Sequence, residues 1–209
     1  MQTSNVNPTR MELRKIRNKL KVANKGHTLL KDKTSGLIKI FYQIIKETRL
    51  LRSSVDTEIK DIFVNYQQVK TSFSGAEMRF LQTLANNHTT LNFDNVIHLG
   101  VTCPNIQIET QSEEKNTYSP LSSSFHFDYT ANRFKELLPK ILELASKEKS
   151  AYILADEIEK CKRRTKALED VIIPTYEEQI KKIELKLSSN ELENTSRLKT
   201  IKNKKMLKQ

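Results

Sequence analysis

A heptad pattern of apolar positions between Leu13 and Val55 constrains this chain more than any other feature. Positions of the buried type recur there at alternating steps of three and four residues. A period of 3.5 residues is typical of an α-helix that supercoils against another helix. The positions are Leu13, Ile16, Leu20, Ala23, His27, Leu30, Thr34, Leu37, Phe41, Ile44, Thr48, Leu51 and Val55. The pattern therefore predicts a long helix that needs a partner helix.

This seam continues beyond Val55 as far as Phe73. Its further positions are Ile59, Ile62, Tyr66, Val69 and Phe73. Two successive steps of four residues around Val55 predict a stutter, at which a coiled coil locally unwinds. At 1.5 Å per residue, a helix over residues 7–73 would be about 100 Å long. Because no compact domain of this size has so deep a core, the helix must run along a partner.

The start of this helix is marked by helix-capping residues. Pro8 suits the first turn, where a missing N–H leaves no hydrogen bond unmade. Thr9 and Glu12 have the spacing of a capping box, and Asn7 is a competing cap. Either cap predicts a helix that begins at residues 7 to 10.

A second seam predicts a long C-terminal helix over residues 132–205. Its positions are Ile141, Leu144, Ala151, Ala155, Ile158, Cys161, Thr165, Leu168, Ile172, Tyr176, Ile180, Ile183 and Leu187, and it fades towards Ile201. Pro139 predicts an early break or kink. Pro174 predicts a kink or local unwinding, because the steps from Leu168 to Ile180 are all of four residues.

The middle of the chain, residues 74–131, differs in character. Residues 86–130 carry a net charge of −4, whereas the rest of the chain carries +15. A short helix is predicted at 76–85, and strands at 96–99 and 106–108. A further strand is predicted at 125–129, because Phe125, Phe127 and Tyr129 alternate with polar residues. This segment is therefore predicted to be a small β-containing insertion with a hairpin.

Together these patterns predict a mainly α protein. Two long helices of matching length, residues 7–73 and 132–205, can bury their seams on each other as an antiparallel two-helix coiled coil. Propensity alone does not hold helices of this length, so the pairing is expected to stabilise them. The insertion at 74–131 would connect them.

Charge and motifs limit the classes of function. The net charge of +11 favours an acidic partner, which could be nucleic acid, an anionic membrane or an acidic protein surface. The basic tail of Lys199, Lys202, Lys204, Lys205 and Lys208 lacks the interleaved aromatic residues of specific RNA binders. No apolar run approaches 18 residues, so no membrane span is predicted.

No catalytic or metal motif is found in the sequence. It lacks G-x-x-x-x-G-K-[ST], H-E-x-x-H and C-x-x-C. His98, Cys103 and His126 share no ligand spacing, and His27 is expected to be a packed histidine of the seam. Cys103 and Cys161 are expected to be reduced, and Cys161 to be a small buried residue of the seam. We therefore predict neither catalytic residues, nor a metal, nor a cofactor.

Both predicted helices carry runs that resemble a known family. These runs are NPTRMEL at residues 7–13, GHTLLKDK at 26–33 and EIEKCKRRTKALE at 157–169, the last followed by Ile173 and Pro174. They resemble the D subunits of the V-type (V/A-type) ATPases, in the right order and at the right distance. Gly36 departs from expectation, because a mid-helix glycine costs about 1 kcal/mol relative to alanine.

The resemblance implies a non-catalytic central stalk, the axle of a rotary ATPase. Such an axle couples ATP hydrolysis or synthesis to rotation of the membrane ring and to transport of H⁺ or Na⁺. The implied partners are the A and B subunits of the catalytic hexamer, the F subunit and the funnel-shaped subunit that couples to the membrane ring. No nucleotide or nucleic acid is expected to bind. The implied location is cytoplasmic and peripheral to the membrane.

A set of cations is predicted to contact the hexamer. Its members are Arg10, Arg14, Lys31, Lys33, Lys160, Lys162, Arg163, Arg164, Lys166, Lys182 and Lys186. Alternatively, Lys160, Lys162, Arg163, Arg164 and Lys166 are an ordinary solvated helix face, or Arg163 and Arg164 pair with Glu47 or Glu58 and serve the coiled coil alone. Two other functions stay open at this level: a basic coiled-coil nucleic-acid binder, and a structural adaptor without an ATPase partner.

Overall fold

A computed structural model describes residues 7–84, 90–109 and 124–206. The elements in chain order are α1 (Arg10–Ser72), α2 (Gly75–Leu84), β1 (Thr90–His98), β2 (Val101–Glu109), α3 (Phe125–Ala167), a π-helical turn (Leu168–Ile172) and α4 (Ile173–Met206). Glu113, Glu114 and Lys115 of the acidic insertion, and Lys208 of the basic tail, lie outside the described residues. The predicted fold class is confirmed.

The chain divides into two units. The first, here called the basic unit, comprises Met1–Ser35 and Glu159–Gln209, and the second, the hairpin unit, comprises Gly36–Ile158. Within the described residues, no helix combines the length and apolarity needed to cross a bilayer.

The start of α1 follows the predicted cap. The backbone N–H of Glu12 donates to Thr9 Oγ1 at 3.2 Å, so Thr9 and not Asn7 caps the helix. The Glu12 side chain instead pairs with Lys15 at 3.4 Å. The other hydrogen bond of a capping box is seen at the start of α2, where Ser74 N–H donates to the Glu77 carboxylate at 2.9 Å.

In each unit, part of α1 packs antiparallel to a later helix. In the basic unit Arg10 pairs with Glu191 at 2.7 Å and Arg17 pairs with Glu184 at 2.6 Å. Residue numbers rise on α1 as they fall on α4, which defines the antiparallel direction. The hairpin unit shows the same order, since Arg52 pairs with Glu148 and Glu58 pairs with Lys140.

The predicted seam forms the interior of both units. Buried side chains on α1 include Ile16, Leu37, Val55 and Val69, and those on the later helices include Leu137, Ile158, Cys161 and Ile183. Three seam predictions are wrong. Tyr66 is 40% exposed, Ile172 is 36% exposed, and Ala155 is exposed while Leu154 is fully buried. Leu154 lies at steps of four residues from Ser146 and Ser150, the face of α3 that contacts Pro104 O of the hairpin.

The predicted local unwinding near Pro174 is confirmed as a π-helical turn over Leu168–Ile172. Three steps of four residues from Leu168 to Ile180 overrun the helical repeat by about one residue. A π turn absorbs one extra residue while the flanking helices keep their faces. Pro139 does not break the helix, because α3 continues through it.

The strand predicted at 125–129 is wrong, because these residues open α3. Ser124 O accepts hydrogen bonds from the N–H groups of Phe127 and Asp128, which starts the helix. Phe125 and Tyr129 then stack at 6.5 Å, one helical turn apart. The ring of Phe127 meets Phe73 edge to face at 6.2 Å. The aromatic contacts that form in a helix therefore outweigh the preference for a strand that three alternating aromatic residues indicate.

The predicted hairpin is confirmed, with longer strands than expected. β1 and β2 pair antiparallel in unbroken register from Thr90↔Glu109 to His98↔Val101. Leu99 and Gly100 form the turn, and both have positive φ, of 48° and 81°. This is the signature of the two-residue turn that suits strand twist. A leucine rarely adopts such a φ, so a contact of its side chain must offset the strain.

That contact explains Gly36. A Cβ on Gly36 would lie 2.8 Å from Leu99 Cδ1, closer than carbon atoms approach. The glycine therefore lets the tip of the hairpin seat on α1. On the other helix, the hydroxyls of Ser146 and Ser150 donate to Pro104 O at 2.8 and 3.4 Å.

Candidate partner-binding surface

The net positive charge of the chain lies in the basic unit. Of the 36 basic and 25 acidic residues, 23 and 10 respectively lie in the basic unit, which gives a net charge of +13. The hairpin unit has 13 basic and 15 acidic residues and a net charge of −2. An acidic partner is therefore attracted to the basic unit. Every predicted contact residue lies in this unit.

The densest part of this surface is Lys160, Lys162, Arg163, Arg164 and Lys166 on α3, here called the cationic cluster. All five side chains are exposed. Arg163 Nη2 donates to Glu159 Oε1 of the same helix at 2.7 Å, and both side chains are largely exposed. Exposed pairs of this kind contribute about 0–1 kcal/mol to stability. The Arg163–Glu159 pair is thus not required to hold the fold, and the exposed cations of the cluster can reach another molecule.

The rest of the predicted set is distributed over α1 and α4. Arg10 is exposed too, but it pairs with Glu191 of α4 within the same unit. Lys33 is half-buried and makes contacts within the protein. The remaining members are exposed: Arg14, Lys31, Lys182 and Lys186. The structure thus places the whole set in one unit but assigns Arg10 and Lys33 partly to the fold.

The alternative partners of the cluster, Glu47 and Glu58, are engaged by lysines of α3. Lys147 Nζ donates to Glu47 at 3.2 Å, and Lys140 Nζ donates to Glu58 at 2.6 Å. Hydrogen bonds to these lysines lower the pKa of both carboxyls below the ordinary value of 4.5. These pairs join α1 to α3 within the hairpin unit.

The described residues hold no group of three or more metal-ligating side chains. His98 and Cys103 line a cleft of about 320 Å³ between the hairpin and the helices. Burial raises the pKa of the Cys103 thiol, so this cysteine is a packed apolar group. Cys103 and Cys161 are both free thiols.

A second surface feature, missed from the sequence, is an apolar groove of about 680 Å³ in the hairpin unit. It lies between the C-terminal part of α1 and the start of α3, and exposed Phe63, Tyr66 and Phe134 line it. Tyr66 belongs to the predicted seam, so its sequence position indicated burial against a helix. The exposure of these rings shows that α3 does not fully cover α1 here.

A basic, antiparallel coiled coil with a docked hairpin defines a class of interaction proteins that act through helix surfaces. Comparison with known proteins identifies the family. The profile of the ATP synthase D-subunit family matches residues 12–203. The V-type ATP synthase D subunit of Thermoanaerobacter pseudethanolicus is 36% identical over 204 residues, which cover 97% of each chain. That of Streptococcus pyogenes serotype M3 is 37% identical over 206 residues, which cover 96% of this chain and 99% of that protein.

The chain therefore belongs to the family of ATP synthase D subunits. The family resemblance read from the two helices is confirmed. With it, the predicted central stalk component of a V-type rotary ATPase is confirmed at the level of the family.

Proposed function

We propose that this protein is the axle that couples the catalytic hexamer of a V-type ATPase to its membrane ring. The match over residues 12–203 is the single observation that carries this proposal. The charge separation between the two units supports it, because one unit attracts acidic partners and the other does not.

The basic unit is proposed to enter the hexamer of A and B subunits. Its cationic cluster has long, exposed side chains, and such side chains can keep contact with acidic loops as the axle turns. The protein itself is proposed to be non-catalytic, so that its uneven surface biases the nucleotide sites of its partners. It would lie in the cytoplasm, peripheral to the membrane.

The apolar groove of the hairpin unit is proposed to meet the funnel-shaped subunit. Three exposed aromatic side chains in one groove are unusual for a surface that stays in water. The F subunit is proposed to bind the coiled coil as well. In this proposal, residues 7–73 and 132–205 form the axle, and residues 74–131 form an insertion between its two helices.

The test is reconstitution with purified A and B subunits. Binding of the chain to the hexamer is measured at low and high salt, together with the ATPase rate. We expect co-purification, a rise in ATPase rate on binding, and weaker binding at high salt, where charges are screened. A hexamer that neither binds the chain nor changes its rate would refute the axle.

A matched control separates local charge from total charge. The variant Arg163→Gln/Arg164→Gln removes two cations from the cationic cluster, and Lys46→Gln/Arg49→Gln removes two cations from the hairpin unit. Only the first is expected to weaken hexamer binding. Equal loss in both variants would show that total charge alone matters, and salt-sensitive RNA binding without hexamer binding would favour the nucleic-acid alternative.

A further inference from the structure

The outer edge of β1 has no strand beside it among the described residues. The sheet has two strands, and β2 uses its other edge against α3, where Pro104 O accepts from Ser146 and Ser150. β1 is accessible along nearly its whole length. An edge strand presents a row of backbone N–H and C=O groups that can pair with another strand.

The turn determines which backbone groups of β1 point outward. A two-residue turn makes His98↔Val101 a hydrogen-bonded pair, and such pairs alternate along the ladder. The pair Asn95↔Pro104 is then not hydrogen-bonded, which agrees with Pro104 O pointing away from β1 to the serines. The outward N–H and C=O groups belong to Leu91, Phe93, Asn95 and Ile97.

The same four residues share one face of the strand, because side chains alternate with period two. On this face Phe93 is 68% exposed, Ile97 is 69% exposed and Leu91 is 41% exposed. From the opposite face of the hairpin, Val101 and Cys103 of β2 are buried against the helices. An incoming strand would therefore find both pairing groups and an apolar surface.

Most of the usual protections of an edge are missing here. Edge strands are commonly short, bulged or marked by lysine or proline. β1 has nine residues in unbroken register, and its sequence contains no Lys, Arg or Pro. Residues 90–109 contain Asp94 and Glu109 but no Lys or Arg, so the hairpin complements a basic segment.

We propose that β1 accepts an extended segment of another protein of the ATPase complex as a third strand. The segment would carry apolar side chains at alternate positions and at least one Lys or Arg near Asp94. Backbone hydrogen bonds would supply affinity and the alternating side chains specificity. This inference rests on the proposed function, because the partner belongs to the same complex.

The test is hydrogen exchange at single-residue resolution, on the isolated chain and on its complex with co-expressed A, B and F subunits and the funnel-shaped subunit. In the isolated chain, the outward amides of Phe93, Asn95 and Ile97 are expected to exchange rapidly. In the complex they should slow at least about tenfold, as newly hydrogen-bonded amides do. The inward amides of Val96 and His98 are an internal control, protected in both states.

Two variants sharpen the result. Asn95→Pro removes one outward N–H and leaves the ladder intact, as Pro104 does opposite it. It should abolish the added protection while β2 stays protected. Asp94→Asn retains every backbone group and should only weaken the protection.

The outcomes are distinguishable. An assembled complex in which the β1 amides exchange as rapidly as in the isolated chain overturns this inference and leaves the axle intact. Failure of any complex to form overturns the axle and this inference with it. Protection that appears in the isolated chain and grows with its concentration would assign the edge to a second copy instead.

Discussion

Replacing Gly36 by alanine tests how the hairpin is held on the coiled coil. In a free helix this change is expected to stabilise by about 1 kcal/mol, because glycine is a poor helix former. Here the new Cβ would lie 2.8 Å from Leu99 Cδ1. Because that atom ends a flexible side chain, Leu99 can swing away, but it then loses its contact with α1.

The size of this loss follows from the exposure of Leu99. Leu99 is 51% exposed, so about half of this residue is covered. Full burial of a leucine contributes about 1.5–3 kcal/mol, and half of that is about 1 kcal/mol. Gain and loss therefore nearly cancel, and Gly36→Ala is expected to leave the free energy of unfolding almost unchanged.

A double-mutant cycle separates the two contributions. In a Leu99→Ala background the leucine methyl that the new Cβ would meet is gone, so Gly36→Ala should recover its full stabilisation of about 1 kcal/mol. For a chain of this length that is a shift in Tm of about 2–4 °C. Gly26→Ala is the matched control, because a Cβ at Gly26 would meet nothing within 4 Å. It should stabilise by the same amount in both backgrounds.

The two cysteines provide a second measurement. Cys103 is buried where the hairpin meets the helices, whereas Cys161 is buried in the basic unit. If Gly36→Ala loosens the hairpin, thiol labelling of Cys103 should accelerate while that of Cys161 does not. Gly36→Ala that stabilises as much as Gly26→Ala, with Cys103 labelling unchanged, would refute the contact and its role.

Three further predictions follow from the charges and the insertion. Arg163→Gln/Arg164→Gln should leave Tm nearly unchanged, since exposed pairs contribute about 0–1 kcal/mol, yet lower the coupled ATPase rate; a large drop in Tm would contradict this. Deletion of 87–124 should keep the helical circular-dichroism signal and hexamer binding but change the ATPase rate, whereas loss of the helical signal would show that the hairpin nucleates folding. Because Lys140 lowers the pKa of Glu58, the pair contributes its full stability above the ordinary pKa of 4.5 and loses it as pH falls through the lowered value. Melting curves of Glu58→Gln should therefore depend less on acid pH than those of the parent, and equal slopes would contradict the pairing.

The periodic parts of the fold could be predicted from the sequence. A heptad seam repeats its signal every few residues, so single exceptions such as Tyr66 do not obscure the helix. The steps of four around Pro174 also predicted the unwinding that the π turn provides. Capping at Thr9 is equally local, because donor and acceptor lie three residues apart.

The strand predicted at 125–129 failed for a different reason. Three alternating aromatic residues do not distinguish a strand from the first turn of a helix. The helix rather than the strand brings Phe127 into contact with Phe73, which is far away in sequence. Leu154 likewise replaces Ala155 in the core, on the face of α3 from which Ser146 and Ser150 bind the hairpin.

The cationic cluster could be found in the sequence because its members are adjacent. Its separation from the acidic insertion was visible too, as a charge contrast along the chain. The roles of Arg10 and Lys33 within the fold, and the apolar groove, could not be found, since each depends on which helix faces which residue.

By itself, the sequence determined the two helices, the cap of the first, the distribution of charge and the family, because each depends on short-range spacing or on runs of adjacent residues. Only the tertiary structure decided why Gly36 is a glycine and why Leu99 tolerates a positive φ. These two residues are 63 positions apart, and no periodic pattern links them. A single contact between a hairpin tip and a helix face exists only once the chain has folded.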